Sequence, residues 1–223
     1  MRVAVCIFPG TTCERDCLHV FGNVLRQDVV PIFSHERHLP AVDAVVLPGG
    51  FAYGDYLRPG AIARFSPIMK EIARFVTAGG PVLGICNGFQ ILVEAGLLPG
   101  ALVRNKNGRF ICRDILVQVE STRSVLTSGL ERGMRLSLPI AHSDGRYVVA
   151  DAVLDQMKAN EQVVLRYVPE NPNGSLDCIA GVCNQAGNCV GIMPHPERAA
   201  EAILGGTDGA RMLKAFLNAK WRS

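Results

Sequence analysis

The stretch "PVLGICNGFQ", residues Pro81 to Gln90, indicates both the fold and the place to look for chemistry. Its first residues are an apolar run typical of a buried strand, and Asn87 begins a predicted short helix. Cys86 stands at the junction, with Gly84 two residues before it and Gly88 two residues after it. This spacing is typical of a nucleophile elbow, a strained strand-to-helix turn that exposes its central residue above the sheet.

The alternation of strand and helix continues on both sides of this stretch. The first half predicts helices from about Cys13 to Leu25 and from about Ala61 to Val76 between the strands "RVAVCIF", "VVPIF" and "AVDAVVLPGG". In the second helix, apolar residues recur every three or four positions and predict one buried face: Ile62, Phe65, Met69, Ile72 and Val76. The second half predicts six further strands: "FICRDILVQVE", "MRLSLPIAH", "GRYVV", "QVVLRYV", "IAGVCN" and "CVGIMP".

A closing helix is predicted over "GARMLKAFLNAKW", residues 209–221. The whole pattern predicts an α/β fold, a mostly parallel open sheet with helices on both faces and added antiparallel strands in the second half. We find no linker and no internal repeat, so residues 1–223 are expected to form a single domain. Several strands end in loops rich in glycine and proline, and such loops gather where ligands bind in open α/β sheets.

Composition excludes several classes of function. The net charge of +3 and the absence of a Lys/Arg cluster argue against nucleic-acid binding. No stretch approaches the ~18 uninterrupted apolar residues of a membrane span, and we expect a cytoplasmic protein. Eight cysteines without any C-x-x-C pair fit neither a disulfide framework in that compartment nor a zinc site, so no metal is predicted.

Cys86 is the candidate nucleophile. The free backbone N–H groups at the start of the following helix favour the reactive thiolate, and the N–H of Asn87 can donate to a developing oxyanion. A second oxyanion donor is expected in "LPGG", Leu47 to Gly50, because glycine lets a backbone N–H approach a ligand closely. The alternative is a buried structural cysteine between incidental glycines, which is how we interpret the other seven cysteines.

His195 is the candidate base for this thiol. It follows an apolar strand in "GIMPHPER", between two prolines, and Glu197 comes two residues later. In extended backbone, side chains two positions apart point the same way, so the carboxylate is expected to hold the imidazole. Cys86, His195 and Glu197 would then form a triad acting on an amide or ester through a thioester. The alternative is a strand end followed by a charged loop.

These residues resemble the class I glutamine amidotransferases, whose triad is Cys, His and Glu. More narrowly, "PGGFAYGDYLRPGAIARF", "GICNGFQILVEAGLLPGALVRNK", "IAGVCN" and "GIMPHPERA" resemble the glutaminase subunits of phosphoribosylformylglycinamidine synthases. The similarity covers nearly the whole chain. The motif G-x-C-x-G-x-Q is shared across the class, whereas the "GDYLRPGAIA" loop is specific to this branch.

The resemblance implies that Cys86 attacks the side-chain amide of glutamine and that His195 protonates the departing ammonia and then activates water. It implies an oxyanion hole formed by the backbone N–H groups of Gly50 and Asn87. It also implies that Gln90 helps hold the amino-acid end of the substrate. Gly49, Phe51 and His142 are further expected glutamine contacts.

The resemblance further implies two partners, a large synthetase subunit and a small bridging subunit. Ammonia would pass to the synthetase, which uses ATP and Mg to convert formylglycinamide ribonucleotide to its amidine in purine biosynthesis. No cofactor is expected in this chain, which lacks G-x-x-x-x-G-K-[ST] and G-x-G-x-x-G. The pair Ser143–Asp144 stands where the family usually has Gly-Glu, and "TT" stands before Cys13 where it usually has Ser-Asn, so the role of residues 142–146 stays open.

Two alternatives remain from the sequence alone. One is a stand-alone cysteine hydrolase of γ-glutamyl substrates, which would be active without partners. The other is a non-catalytic glutamine-binding assembly subunit, which would be inert toward thiol electrophiles.

Overall fold

The computed structural model describes residues 1–219. It contains five α-helices in this range: α1 (Glu14–His19), α2 (Pro67–Thr77), α3 (Asn87–Glu94), α4 (Asp151–Ala159) and α5 (Asp208–Asn218). The strands are β1 (Arg2–Ile7), β2 (Asp28–Phe33), β3 (Ala44–Leu47), β4 (Val82–Ile85), β5 (Ala101–Val103), β6 (Ile111–Val119), β7 (Arg135–His142), β8 (Arg146–Val148), β9 (Val163–Val168), β10 (Ile179–Cys183) and β11 (Cys189–Ile192).

Nine of these strands form one mixed sheet in the order β2-β1-β3-β4-β11-β10-β9-β6-β7. The pairs from β2 to β11 are parallel, and the pairs from β11 to β7 are antiparallel. The fold class is therefore confirmed, with the antiparallel strands in the second half as expected. Strand β8, predicted from "GRYVV", lies outside this sheet and pairs with β5 in a separate two-stranded ribbon.

The central strands β3, β4 and β11 position the site. All of their residues are buried, as expected for apolar strands covered on both faces. Because the three strands are parallel neighbours, with Leu47 opposite Gly84 and Ile192 opposite Ile85, their carboxyl ends lie side by side. The loops that follow these ends carry "PGG", Cys86 and His195, so the predicted gathering of loops at one edge is confirmed.

The helix predicted from Ala61 to Val76 is shorter than expected. It begins at Pro67, because a proline disfavours the helical conformation of the residue before it, and Ser66 is accordingly extended at φ −59° and ψ 140°. Phe65, expected on the buried face, is 71% exposed and lies under the guanidinium of Arg64. The buried face is instead completed by Ile68.

Other boundaries differ in detail. The first helix is α1 followed by a wider π-helical turn, Val20–Val24, which together cover the predicted segment. Helix α4 and strand β5 were not predicted. The closing helix is confirmed as α5, and residues 220 and 221 of the predicted segment lie outside the described residues. Across residues 1–219, no helix combines the length and the apolar character needed to span a bilayer.

Candidate active site

Cys86 occupies the turn between β4 and α3 with a left-handed backbone, φ 51° and ψ −106°. A non-glycine residue in this region costs about 1–3 kcal/mol, and such residues cluster at functional sites. The flanking glycines are required by close packing. A Cβ on Gly88 would lie 2.0 Å from the carbonyl oxygen of Leu47, and one on Gly84 would lie 2.7 Å from the carbonyl carbon of Gly88. The predicted elbow geometry is therefore present.

His195 and Glu197 form a buried hydrogen-bonded pair. Nδ1 of His195 donates to Oε1 of Glu197 at 2.6 Å, and the two side chains are 2% and 0% exposed. The predicted contact exists, but the reason given for it was wrong. Residues Pro196–Arg198 form a 3₁₀ turn and not extended backbone, and this turn brings the carboxylate back to the imidazole.

The environment of His195 favours the imidazolium. Burial alone would lower the pKa of His195, but the Glu197 carboxylate and then the sulfur of Cys86 outweigh it, so the pKa lies well above its usual range. Nε2 of His195 is buried and has no hydrogen-bond partner in the described part of the chain. Cys86 Sγ lies 3.8 Å from the carbonyl oxygen of Ala141, a weak thiol hydrogen bond. The imidazole is thus held at one nitrogen and available at the other.

A second thiol, Cys13, adjoins His195, and this contact had not been predicted. Cys13 is 2% exposed, and its Sγ accepts a hydrogen bond from Nη2 of Arg198 at 3.0 Å. The other cysteines were expected to be buried and structural; Cys13 is buried but adjoins the site, and Cys112 is exposed. The available signals for Cys13 were its position beside the "PGTT" loop and the Arg198 that follows "HPE".

Cys13, His195 and Glu197 are also the side chains best placed to hold a metal ion, since their ligand atoms lie within 4.8 Å of one another. These atoms already have other interactions. Nδ1 of His195 is bonded to Glu197, and the Cys13 sulfur accepts from the Arg198 cation, which would oppose a second positive charge. The group is better explained as a hydrogen-bonded cluster.

The two expected oxyanion donors lie beside Cys86. Asn87 is the first residue of α3, where a backbone N–H has no intrahelical acceptor. Gly50 has a positive φ of 149°, and a Cβ there would lie 2.6 Å from the backbone nitrogen of Thr12. Its loop is fixed by backbone bonds, since Gly49 O accepts from Thr12 N and Cys13 N at 3.2 and 3.1 Å.

A small cleft opens at Cys86. It is lined by Gly50, Phe51, Asp55, Cys86, Gln90, Ala141, His142, Ser143 and Asp144. The structure thus brings Phe51, Gln90 and His142 to the thiol. Gly49, expected to contact glutamine, is not part of this lining; a Cβ on it would lie 2.7 Å from Cε1 of His195 and 3.4 Å from Cβ of Cys86.

Amide side chains tie the walls of the cleft together. Asn87 accepts from the backbone of Ala52 at 2.9 Å and donates to Asp55 and to Gln90 at 3.2 and 2.9 Å. Gln90 in turn donates to the carbonyl oxygen of Asp144 at 2.7 Å. Burial, and next the nearby Asp144 charge, raise the pKa of Asp55 to about 6. Asp55 and Asp144 give the cleft a negative side, and neither had been predicted to contribute.

His142 faces the cleft in its neutral form. Burial, and next the charge of His195, lower the pKa of His142 to about 4. Nδ1 donates to Asn105 Oδ1 at 3.1 Å, which leaves the buried Nε2 as an acceptor with no partner among the described residues. Of the segment 142–146 whose role was open, Ser143 donates to the Asp144 carboxylate, and both line the cleft.

The mixed sheet, with a cysteine elbow after β4, is the fold of the class I glutamine amidotransferases. A glutamine amidotransferase from Thermotoga maritima shares it at a TM-score of 0.57 and 20% identity, over 98% of this chain and 81% of that one. The chain belongs to the CobB/CobQ-like glutamine amidotransferase domain family, which matches residues 1–214.

Two relatives are similar along nearly the whole chain. The phosphoribosylformylglycinamidine synthase subunit PurQ of Trichormus variabilis is 48% identical over 217 residues, 97% of both proteins. A chain in the structure of PurLQS from Thermotoga maritima is 44% identical, with a TM-score of 0.89 and 97% coverage of both chains.

Proposed function

We propose that this chain is the glutaminase subunit of a phosphoribosylformylglycinamidine synthase. It hydrolyses glutamine to glutamate and ammonia through a thioester on Cys86, and the ammonia is used to convert formylglycinamide ribonucleotide to formylglycinamidine ribonucleotide. The observation that carries this proposal is the 48% identity to a PurQ subunit over 97% of both proteins. Residues 1–223 act as a single glutamine amidotransferase domain in the cytoplasm.

In the proposed first step, the Cys86 sulfur attacks the side-chain amide carbon of glutamine. The carbonyl oxygen becomes an oxyanion, which accepts hydrogen bonds from the backbone N–H groups of Gly50 and Asn87. One such donor is typically worth about 2.7–4 kcal/mol of the barrier. Fixed loop geometry supports this role, because donors that are already in place need no reorganisation during the reaction.

In the next steps, His195 moves the protons. Its imidazolium protonates the departing amide nitrogen, the C–N bond breaks, and ammonia leaves the glutamyl thioester behind. Neutral His195 then takes a proton from water, which attacks the thioester, and the proton returns to the Cys86 sulfur as glutamate leaves. Glu197 holds the ring through Nδ1, so that Nε2 faces the reacting atoms.

The substrate's amino-acid end lies in the cleft. Gln90 and His142 contact it together with Phe51 and Gly49, and the unpartnered Nε2 of His142 is an acceptor for its α-ammonium. A large synthetase subunit takes the ammonia and uses ATP and Mg, and a small bridging subunit joins the two. This chain itself works without a cofactor. The PurLQS structure, whose similar chain covers 97% of this one, supports such an assembly.

The proposal is tested with the reconstituted complex of this chain, synthetase and bridging subunits. Cys86→Ala removes the nucleophile but leaves the synthetase site intact, and that site can take ammonia from ammonium salt at alkaline pH. We expect the variant complex to lose glutamine-dependent amidine formation and to keep ammonia-dependent formation near the wild-type rate. Cys112→Ala, which removes an exposed thiol, is the control and should keep both activities.

Labelling with a glutamine-like diazoketone, followed by mass mapping, identifies the nucleophile independently. We expect the label on Cys86. Loss of both activities in an assembled Cys86→Ala complex, or glutamine hydrolysis at the wild-type rate by that variant, would contradict the proposal.

A further inference from the structure

Cys13 is a buried thiol beside the proposed catalytic pair to which the proposed mechanism gives no task. It precedes α1 and is held to the "LPGG" loop by the bond from its backbone N–H to Gly49 O at 3.1 Å. Gly49 has three side chains around it. A Cβ at Gly49 would lie 2.7 Å from Cε1 of His195, 3.1 Å from Sγ of Cys13 and 3.4 Å from Cβ of Cys86. Cys13 and Cys86 therefore both lie close to the imidazole of His195, and the Cys13 sulfur is within 4.8 Å of one of its ring nitrogens.

Arg198 fixes the role of the Cys13 sulfur. Its Nη2 donates to Sγ at 3.0 Å, while its Nε donates to Oδ2 of Asp16 at 3.2 Å. A guanidinium has donors and no acceptor, so the sulfur is the acceptor in this bond. Arg198, itself bound by Asp16, thus fixes the position of a sulfur that is buried.

One ring nitrogen of His195 is available to donate a hydrogen bond to that sulfur. Nδ1 is bonded to Glu197, whereas the buried Nε2 has no partner in the described part of the chain. Against the effect of burial, the pKa of His195 is raised by Glu197, by Cys86 and, after them, by Cys13. The Cys13 sulfur is therefore close enough to stabilise positive charge on the ring.

The reaction creates a need for such an acceptor. While glutamine is bonded to the Cys86 sulfur, that sulfur has lost its negative charge and is a poor acceptor. The proton on Nε2 of the buried imidazolium then has no acceptor until the leaving nitrogen approaches. An unsatisfied hydrogen bond costs more free energy at a charged buried group than at a neutral one.

We propose that Cys13 is a positioning residue for His195, with its Arg198-held sulfur accepting the Nε2–H bond when Cys86 is bonded to substrate and Nε2 carries a proton. No proton is transferred to Cys13 and no bond to it forms; the sulfur only orients and stabilises the imidazolium. This inference rests on the proposed glutaminase function. It assigns Cys13 and Arg198 to the machinery of the reaction and not to the hydrophobic core.

The test is glutamine hydrolysis by the reconstituted complex, measured as kcat and KM across pH. For Cys13→Ala we expect kcat to fall about tenfold with KM nearly unchanged, since a hydrogen bond to a charged group is lost. Removing the sulfur also lowers the pKa of His195 in the enzyme–substrate complex, so the alkaline limb of the kcat profile, where the imidazolium is lost, should move to lower pH.

Matched variants separate positioning from packing. Cys17→Ala removes an equally buried thiol four residues away and should leave the alkaline limb in place. Cys13→Ser keeps an acceptor and should recover part of the activity, and Arg198→Lys should shift the limb in the same direction as Cys13→Ala. These two variants keep the test decisive if Cys13→Ala does not fold.

Three results would overturn the inference: Cys13→Ala within about twofold of wild type in kcat, a fall in kcat without any shift of the alkaline limb, or diazoketone labelling of Cys13 in place of Cys86. The proposed function is judged separately by the Cys86→Ala complex. If Cys86→Ala loses glutamine-dependent activity and Cys13→Ala keeps the wild-type kcat, only the positioning role of Cys13 is contradicted.

Discussion

Replacing Glu197 with glutamine tests the buried pair most directly. The carboxylate lies 2.6 Å from Nδ1 of His195, and neither side chain has appreciable contact with water. Glutamine has nearly the same shape, so packing is preserved. Its amide oxygen can still accept from Nδ1, but it carries no charge, and a rotated amide would present a donor and favour the wrong tautomer.

The expected loss of activity follows from the proton transfers assigned to His195. Acid–base catalysis by a positioned side chain typically contributes ~10²–10⁴ in rate, and both proposed proton transfers use this imidazole. We therefore expect kcat of Glu197→Gln to fall by about 10³, which corresponds to ~4 kcal/mol of barrier. The assay is glutamine hydrolysis by the reconstituted complex at saturating glutamine.

The stability of the variant should depend on pH, and the raised pKa of His195 gives the sign. A group with a raised pKa in the folded state contributes stability that is complete below its unfolded pKa, ~6.5, and is lost as pH rises through the folded value. Losing the charged partner should therefore destabilise the protein most below about pH 6.5. A charged hydrogen bond made neutral costs roughly 1–2 kcal/mol, or about 2–8 °C in Tm.

The surface pair His19–Glu201 offers a matched control. Nε2 of His19 lies 2.8 Å from Oε2 of Glu201, but the side chains are 48% and 33% exposed. Glu201→Gln makes the same chemical change where water screens the charge, so we expect no change in kcat and less than ~1 kcal/mol in stability. Activity of Glu197→Gln within about twofold of wild type, or a Tm loss independent of pH, would refute the reasoning.

Three further outcomes are expected. Gly88→Ala should lower the free energy of unfolding in urea by about 1–3 kcal/mol, because its Cβ would lie 2.0 Å from a carbonyl oxygen. Gly206→Ala is the control and should be nearly neutral, since its Cβ would contact only Ala199 at 4.0 Å. Equal effects of the two substitutions would contradict this prediction. Iodoacetamide should label Cys86 faster than the exposed Cys112, and mass mapping that finds uniform reactivity would count against an activated thiol. Asp55→Asn should raise Tm above about pH 6, because there the half-buried wild-type carboxyl is ionised and lowers the stability of the fold. The gain in Tm should disappear toward pH 4. A gain that does not depend on pH would exclude the buried charge as its cause.

The part of the structure that depends on local pattern could be predicted from the sequence. Strand β4, the elbow and helix α3 follow from an apolar run, two glycines and a helix stop, all within sixteen residues, Pro81 to Gly96. The contact between His195 and Glu197 is equally local, although the backbone that makes it is a 3₁₀ turn. Patterns of this kind act through neighbours in sequence, so one chain suffices to find them.

The parts that were missed depend on tertiary neighbours. Phe65 fits the predicted helical stripe of apolar residues. Helix α2 begins only at Pro67, however, so Phe65 precedes the helix and its ring lies on the surface under Arg64. Cys13 looks like an ordinary cysteine after the "PGTT" loop, and only the turn after His195 brings Arg198, 185 residues away in sequence, to its sulfur. Asp55 and Asp144 come together only because Asn87 and Gln90 bind their loops. No periodicity in the chain encodes these contacts.

Gly49 lies where the segments that carry Cys13, Cys86 and His195 pack closely together. Its carbonyl oxygen accepts from the loop before α1, while its α-carbon packs against His195, Cys13 and Cys86. Any side chain at Gly49 would have to displace the imidazole, because a Cβ would lie 2.7 Å from it. The absence of a side chain at Gly49 therefore lets three chain segments close around one imidazole, which is the group that the proposed reaction uses twice.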